Sequence, residues 1–121
     1  FVSLGKVEGV LRQVRGIGAC VVFAQSTKDH CVAIVSQPER GWDSVGGEPQ
    51  EDELVKEMEA TCRKLGLARF EIPTKVRIDQ TMWTPENGFV TPSMKVQRQA
   101  IRVHYNGAGG LLEQMNYRFP E

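Results

Sequence analysis

The sequence predicts an α+β domain: a small sheet of about three strands, including a β-hairpin, packed with amphipathic helices. Three observations carry this. Two short apolar runs rich in β-branched residues, 19–24 and 31–35, flank the polar insert Ser26-Thr27-Lys28-Asp29-His30, which is the pattern of a hairpin buried on both faces. Ile72, Thr74, Val76 and Ile78 alternate with Pro73, Lys75, Arg77 and Asp79, which is a strand with one wet face. Between and around these lie segments whose apolar residues recur at helical spacing.

The first such segment covers residues 3–14. Leu4, Val7, Val10, Leu11 and Val14 form its apolar stripe, and Lys6, Glu8, Arg12 and Gln13 are expected on the opposite side. Ser3 is placed to cap the helix, and Gly16 and Gly18 end it and turn the chain. Gly5 leaves room for close approach of a ligand. After the hairpin, 36–49 reads as loop, with Pro38, Pro49 and three glycines; Trp42 is expected to cover an edge of the core. A second helix is expected from Pro49, which suits a first turn, to about Leu65. It carries Leu54, Val55, Met58, Cys62 and Leu65 on one face. Glu51, Asp52 and Glu53 stand at its start and Arg63 and Lys64 at its end, as the helix dipole favours. Gly66 suits the position just past it. The acidic trio reads as a solvated first turn. Further helical character is expected from Val96 to Tyr105, and from Leu111 to Met115 after a Gly-rich break.

The chain has 121 residues, 40% hydrophobic and 25% charged, as expected of one domain with a modest core. Lys plus Arg and Asp plus Glu are 15 each, so the balance gives no reason to expect nucleic acid or an anionic membrane as partner. No apolar run is long enough to span a bilayer. The chain begins at Phe1 rather than Met and is expected to be a piece of something larger. The three cysteines lack metal-ligand spacing. Cys20 is expected opposite Val35 and Cys31 opposite Ala24, too far apart for a disulfide. Cys62 is expected to be a small buried hydrophobe, and a reducing compartment fits.

The run Pro85-Glu86-Asn87-Gly88-Phe89-Val90-Thr91-Pro92-Ser93-Met94-Lys95-Val96-Gln97-Arg98 is the one stretch built to present a side chain. Its two prolines and the Asn-Gly step restrict the loop, so Lys95 is held at a defined place. Lys95, Arg98 and Arg102, at i, i+3 and i+7, would share one helix face. That face is either solvated or a phosphate site. His30 is expected to be a solvated turn residue. The sequence contains no Ser/His/Asp or Cys/His arrangement, no phosphate-cradling glycine loop and no dinucleotide fingerprint.

The motif from Glu86 to Arg98 resembles the C-terminal motif of long-chain fatty acyl-CoA synthetases, within the superfamily of adenylate-forming (AMP-binding) enzymes. Phe1-Val2-Ser3-Leu4-Gly5-Lys6-Val7-Glu8 is similar to the segment just beyond the hinge between that family's two domains. Gln37-Pro38-Glu39, and Ile101 with Tyr105, are also family-like. The likeness runs in order over nearly the whole chain. Ser93 stands where the family usually has Thr, which keeps the hydroxyl.

The resemblance implies that residues 1–121 are the single, mobile C-terminal (lid) domain of a larger ATP-dependent acyl-CoA ligase whose large N-terminal domain binds ATP and acyl chain. In that family a fatty carboxylate attacks the α-phosphate of ATP. The small domain then rotates, and coenzyme A attacks the acyl-adenylate. The implied cofactors are ATP and Mg2+, bound mainly by the large domain, and coenzyme A. The implied partner is the N-terminal domain of the same polypeptide, with fatty acid, ATP and coenzyme A as substrates and no nucleic acid. By the motif match Lys95 is the adenylation lysine, and Arg98, Ser93 and Thr91 are supporting or phosphate-contact candidates. Ser3, Leu4, Gly5, Arg63 and Lys64 are candidates for the surface facing coenzyme A. The expected location is the cytoplasm or, peripherally, the cytosolic face of a membrane. The alternative is a stand-alone, non-catalytic phosphate- or coenzyme A-binding or interaction module using the Lys95, Arg98, Arg102 face.

Overall fold

A computed structural model describes residues 3–14, 16–38 and 40–120. Phe1, Val2 and Glu39, which belong to the resemblance above, lie outside the described residues. Four helices and three strands follow in the order α1 (Leu4–Leu11), β1 (Cys20–Ala24), β2 (Cys31–Val35), α2 (Glu51–Lys64), β3 (Lys75–Ile78), α3 (Arg98–Tyr105) and α4 (Leu111–Gln114). The α+β expectation holds.

The sheet has the order β1-β2-β3, with β1 and β2 antiparallel and β2 and β3 parallel. Cys20 lies opposite Val35 and Cys31 opposite Ala24, as expected, and all three cysteines are free and buried. Because side chains alternate across a strand, the sheet divides two cores. Cys20, Val22, Cys31, Ala33, Val35, Val76 and Ile78 face α1 and α2. Val21, Phe23, Val32 and Ile34 face Trp83, Phe89, Val90, Ile101, Leu112, Met115 and Tyr117. The first core includes the N-terminal helix; the second underlies the Lys95 loop.

Several boundaries and faces differ from expectation. Helix α1 stops at Leu11, before Gly16, and Ser3 occupies its N-cap without a side-chain bond. Pro49 falls outside α2, whose N-cap is Gln50. Leu65 is 46% exposed rather than on the buried face, because it lies past the last turn and Gly66, at φ +81°, redirects the chain. Trp42–Val45 forms a short 3-10 helix inside the expected loop, and Trp42 packs against the first core. Arg69–Glu71 forms another, so β3 starts at Lys75 instead of Ile72.

The expected wet face of β3 holds at Lys75, which is exposed, but Arg77 is half-buried and Asp79 is buried. Lys75 Nζ donates to the Met115 carbonyl and Arg77 Nε to Gln114 Oε1. Asp79, 2% exposed, accepts from Trp83 Nε1 at 2.8 Å and Tyr105 OH at 2.7 Å. His30 is half-buried, bonded through Nδ1 to Asp29 and edge-on to Tyr117, not a freely solvated turn residue. No helix of the described residues is long and apolar enough to cross a membrane.

Candidate functional site

Lys95 sits at the end of a tight hairpin. Val90 and Val96 form an antiparallel bridge, and between them Thr91 O accepts from Met94 N at 2.7 Å, closing a turn with Pro92 in it. Thr91 then grips the lysine backbone twice: its N–H donates to Lys95 O at 2.9 Å, and its Oγ1 accepts from Lys95 N at 3.0 Å. Ser93 Oγ lies 3.0 Å from Thr91 Oγ1. The Thr91 and Ser93 hydroxyls therefore hold the turn itself. The Lys95 side chain is left exposed.

The base of this hairpin is tied to the second core. Phe89 and Val90 are buried, and Gln97 N donates to Phe89 O at 2.8 Å. Upstream, Asn87 Oδ1 accepts from Thr84 N and Phe89 N while Asn87 N donates to Thr84 Oγ1. Gly88 at φ +80° completes the turn there. The Asn-Gly step thus shapes the approach and Pro92 shapes the tip.

The three-cation face does not form. Because Val96 pairs with Val90, α3 begins only at Arg98, and Lys95 lies outside the helix. Arg98 turns inward: Nη2 donates to Glu8 Oε1 at 2.6 Å and Nε to Val22 O at 3.2 Å. Arg102 stacks over the Phe119 ring at 4.4 Å.

Glu8 was expected on the polar side of α1, yet it is only 8% exposed. Its Oε2 accepts from Val22 N at 2.7 Å. The signal was present in the spacing: 4, 7, 8 and 11 form one helical stripe, which puts Glu8 among Leu4, Val7 and Leu11. Asp79 was likewise assigned to a wet face. Its Trp83 donor lies four residues on, in the loop after β3, but its Tyr105 donor comes from α3, 26 residues away, which no local pattern connects to β3.

The buried thiols are poor nucleophiles. Burial, with the Glu8 carboxylate adding to it, pushes Cys20 up to about 12, and burial pushes Cys31 up to about 11. Among the described residues no group of three or more His, Cys, Asp or Glu is placed to hold a metal.

No family model matches the chain. The sequence is 34% identical over 118 residues to long chain acyl-CoA synthetase 8 of Arabidopsis thaliana, covering 84% of this chain and 16% of the relative. It is 29% identical over 115 residues to a carboxylic acid reductase of Mycobacterium marinum, covering 95% and 10%. The fold superposes, with a TM-score of 0.79 and 25% identity, on the A-PCP didomain of carboxylic acid reductase from Segniliparus rugosus in complex with AMP, covering 96% of this chain and 16% of that one. The chain matches a C-terminal domain of the AMP-binding superfamily.

The chain thus spans about a sixth or less of the adenylate-forming relatives it matches. On this C-terminal domain the remaining candidates lie apart from Lys95. Ser3 stands at the N-cap position of α1, while Leu4 and Gly5 form its first turn, and Arg63 and Lys64 end α2; both helices pack on the first core. A Cβ at Gly5 would meet nothing within 4 Å, so the helix surface there is open. Arg63 pairs with Glu59, an exposed i,i+4 bridge at 3.1 Å. The two candidate sets therefore belong to opposite faces of the sheet.

Proposed function

We propose that the chain is the small C-terminal domain of an ATP-dependent long-chain fatty acid–CoA ligase, and that Lys95 supplies the positive charge for fatty acid adenylation. The observation that carries this reading is the hairpin: an exposed ammonium whose own backbone is fixed by Thr91 from both sides. Attack of a carboxylate on an α-phosphate gathers negative charge on the phosphoryl and carboxylate oxygens. A compact cation held by a stiff turn stabilises that charge without reorganising. Similarity to an acyl-CoA synthetase supports the substrate class, and the AMP in the reductase didomain supports the nucleotide.

In this reading Thr91 and Ser93 build the turn, and Arg98 supports it from below rather than reaching phosphate. ATP, Mg2+ and the acyl chain are bound mainly by a large N-terminal domain of the same polypeptide. Ser3, Leu4, Gly5, Arg63 and Lys64 form part of the surface facing coenzyme A. Their place on the opposite face fits a domain that turns between half-reactions. The location that goes with this reading is the cytoplasm or, peripherally, the cytosolic face of a membrane.

The test uses the complete polypeptide carrying this chain. Lys95→Ala is expected to lower carboxylate-dependent ATP–pyrophosphate exchange by about 100-fold or more, the scale of a lost transition-state electrostatic contact. Thioester formation from supplied acyl-adenylate and coenzyme A should stay within about threefold. Equal loss of both half-reactions would remove Lys95 from the role.

A further inference from the structure

We propose that Glu8 is a positioning residue for Lys95, acting through Arg98. The inference rests on the reading of Lys95 as the adenylation lysine and adds a residue that the motif does not contain.

Both outer edges of the sheet are capped by a glutamate, and the comparison isolates what is special at Glu8. On β3, Glu51 Oε2 accepts from Ile78 N at 3.0 Å while Oε1 pairs with Arg77 at 3.0 Å. Arg77 is the neighbour of the capped residue, so that device closes within one strand and one helix. On β1 the capped amide is Val22 N, but the arginine comes from elsewhere. Arg98 opens α3, three positions after Lys95, and it also donates to Val22 O. One carboxylate thereby fastens α1, the edge of β1 and the start of α3 to each other.

The Lys95 hairpin has two ends. One is anchored by Phe89 and Val90, buried in the second core. The other continues through Gln97 into Arg98, whose guanidinium reaches out of that layer to Glu8. Val96 and Gln97 are only partly buried, so the Arg98 contact is the charged fastening of that end. A buried carboxylate with a 2.6 Å partner has little freedom, and it fixes where the first turn of α3 begins. The position of the ammonium inherits that fixture, and misplacement by about 1 Å can cost about 100-fold in rate.

Glu8→Gln keeps an oxygen for Val22 N and removes the anionic partner of Arg98. In the complete polypeptide it is expected to lower adenylation kcat by about 10- to 100-fold, with KM for ATP within about threefold. Thioester formation from supplied acyl-adenylate should be nearly unchanged. Backbone amide exchange at Lys95 and Gln97 should quicken while the β1–β2 amides keep their protection. The decisive measurement is the double variant. If Glu8 acts through Lys95, adding Glu8→Gln to Lys95→Ala slows residual adenylation no further.

A purely structural role predicts the opposite: equal loss in both half-reactions, or additive loss in the double variant, and either result overturns the proposal. So does full adenylation activity in Glu8→Gln. Arg98→Lys, which keeps charge and gives up the two-point grip, serves if Glu8→Gln fails to fold, and it must show the same non-additivity. Lys95→Ala that retains adenylation would overturn the catalytic reading itself, an outcome distinct from failure of the positioning role alone.

Discussion

Met94 sets the geometry of Lys95 at a cost to its own backbone. Its φ of +68° lies in the left-handed region, where a Cβ crowds the following carbonyl oxygen, and its side chain is 60% exposed with little packing to offset that. The turn needs this conformation so that Lys95 N can meet Thr91 Oγ1 and Lys95 O can meet Thr91 N. Asn adopts it more readily than other residues with a side chain. Met94→Asn is therefore expected to stabilise the domain by about 1 kcal/mol in urea unfolding, with the hairpin unchanged. Met94→Val, branched at Cβ, should destabilise it. A Met94→Asn variant less stable than the parent would mean that the Met94 side chain contributes packing absent from these contacts.

At the scale of elements, the two glutamate caps do the work that a sheet of only three strands would otherwise leave to solvent. An edge strand with free amides invites pairing with another chain. Glu51→Ala removes the acceptor of Ile78 N and the partner of Arg77 together. It is expected to cost about 1–2 kcal/mol and to raise light scattering on warming. Asp52→Ala, its exposed neighbour on the same first turn, should stay within about 0.5 kcal/mol. The hairpin register was legible because its two runs are apolar on both faces and share one short polar turn. The restricted loop was legible because Pro92 and Asn87-Gly88 act on their immediate neighbours. Arg98 with Glu8, and Asp79 with Tyr105, were not: these pairs are 90 and 26 residues apart, and local periodicity carries no information about them. The start of α3 was misplaced for the same reason, since Val96 leaves the helical pattern to pair with Val90.

At the scale of the whole molecule, the three thiols mark the first core as dry and closed. Cys20, Cys31 and Cys62 belong to it together, and burial raises all three above the ordinary thiol value of 9.0. Tyr105 and Tyr117, which belong to the other core, are raised by burial as well, Tyr105 further by the carboxylate of Asp79. The consequence for stability has a definite sign. Below pH 9 both folded and unfolded chains keep these thiol protons, and the groups do not tilt the balance. As pH rises above 9, the unfolded chain releases protons that the folded chain holds until about 11 for Cys31 and about 12 for Cys20. Stability must then fall with pH across that window, by at most about 1.4 kcal/mol per pH unit for each thiol. Denaturant midpoints measured from pH 8 to pH 11 should decline beyond pH 9, and the decline should flatten in Cys20→Ala and Cys31→Ala. Native protein at pH 8 should leave its thiols unreacted toward an aromatic disulfide, and denaturant should release all three. Rapid labelling of the native chain would show that the core beneath α1 opens readily. Glu8, which α1 carries, would then be a loose anchor for the hairpin that presents Lys95.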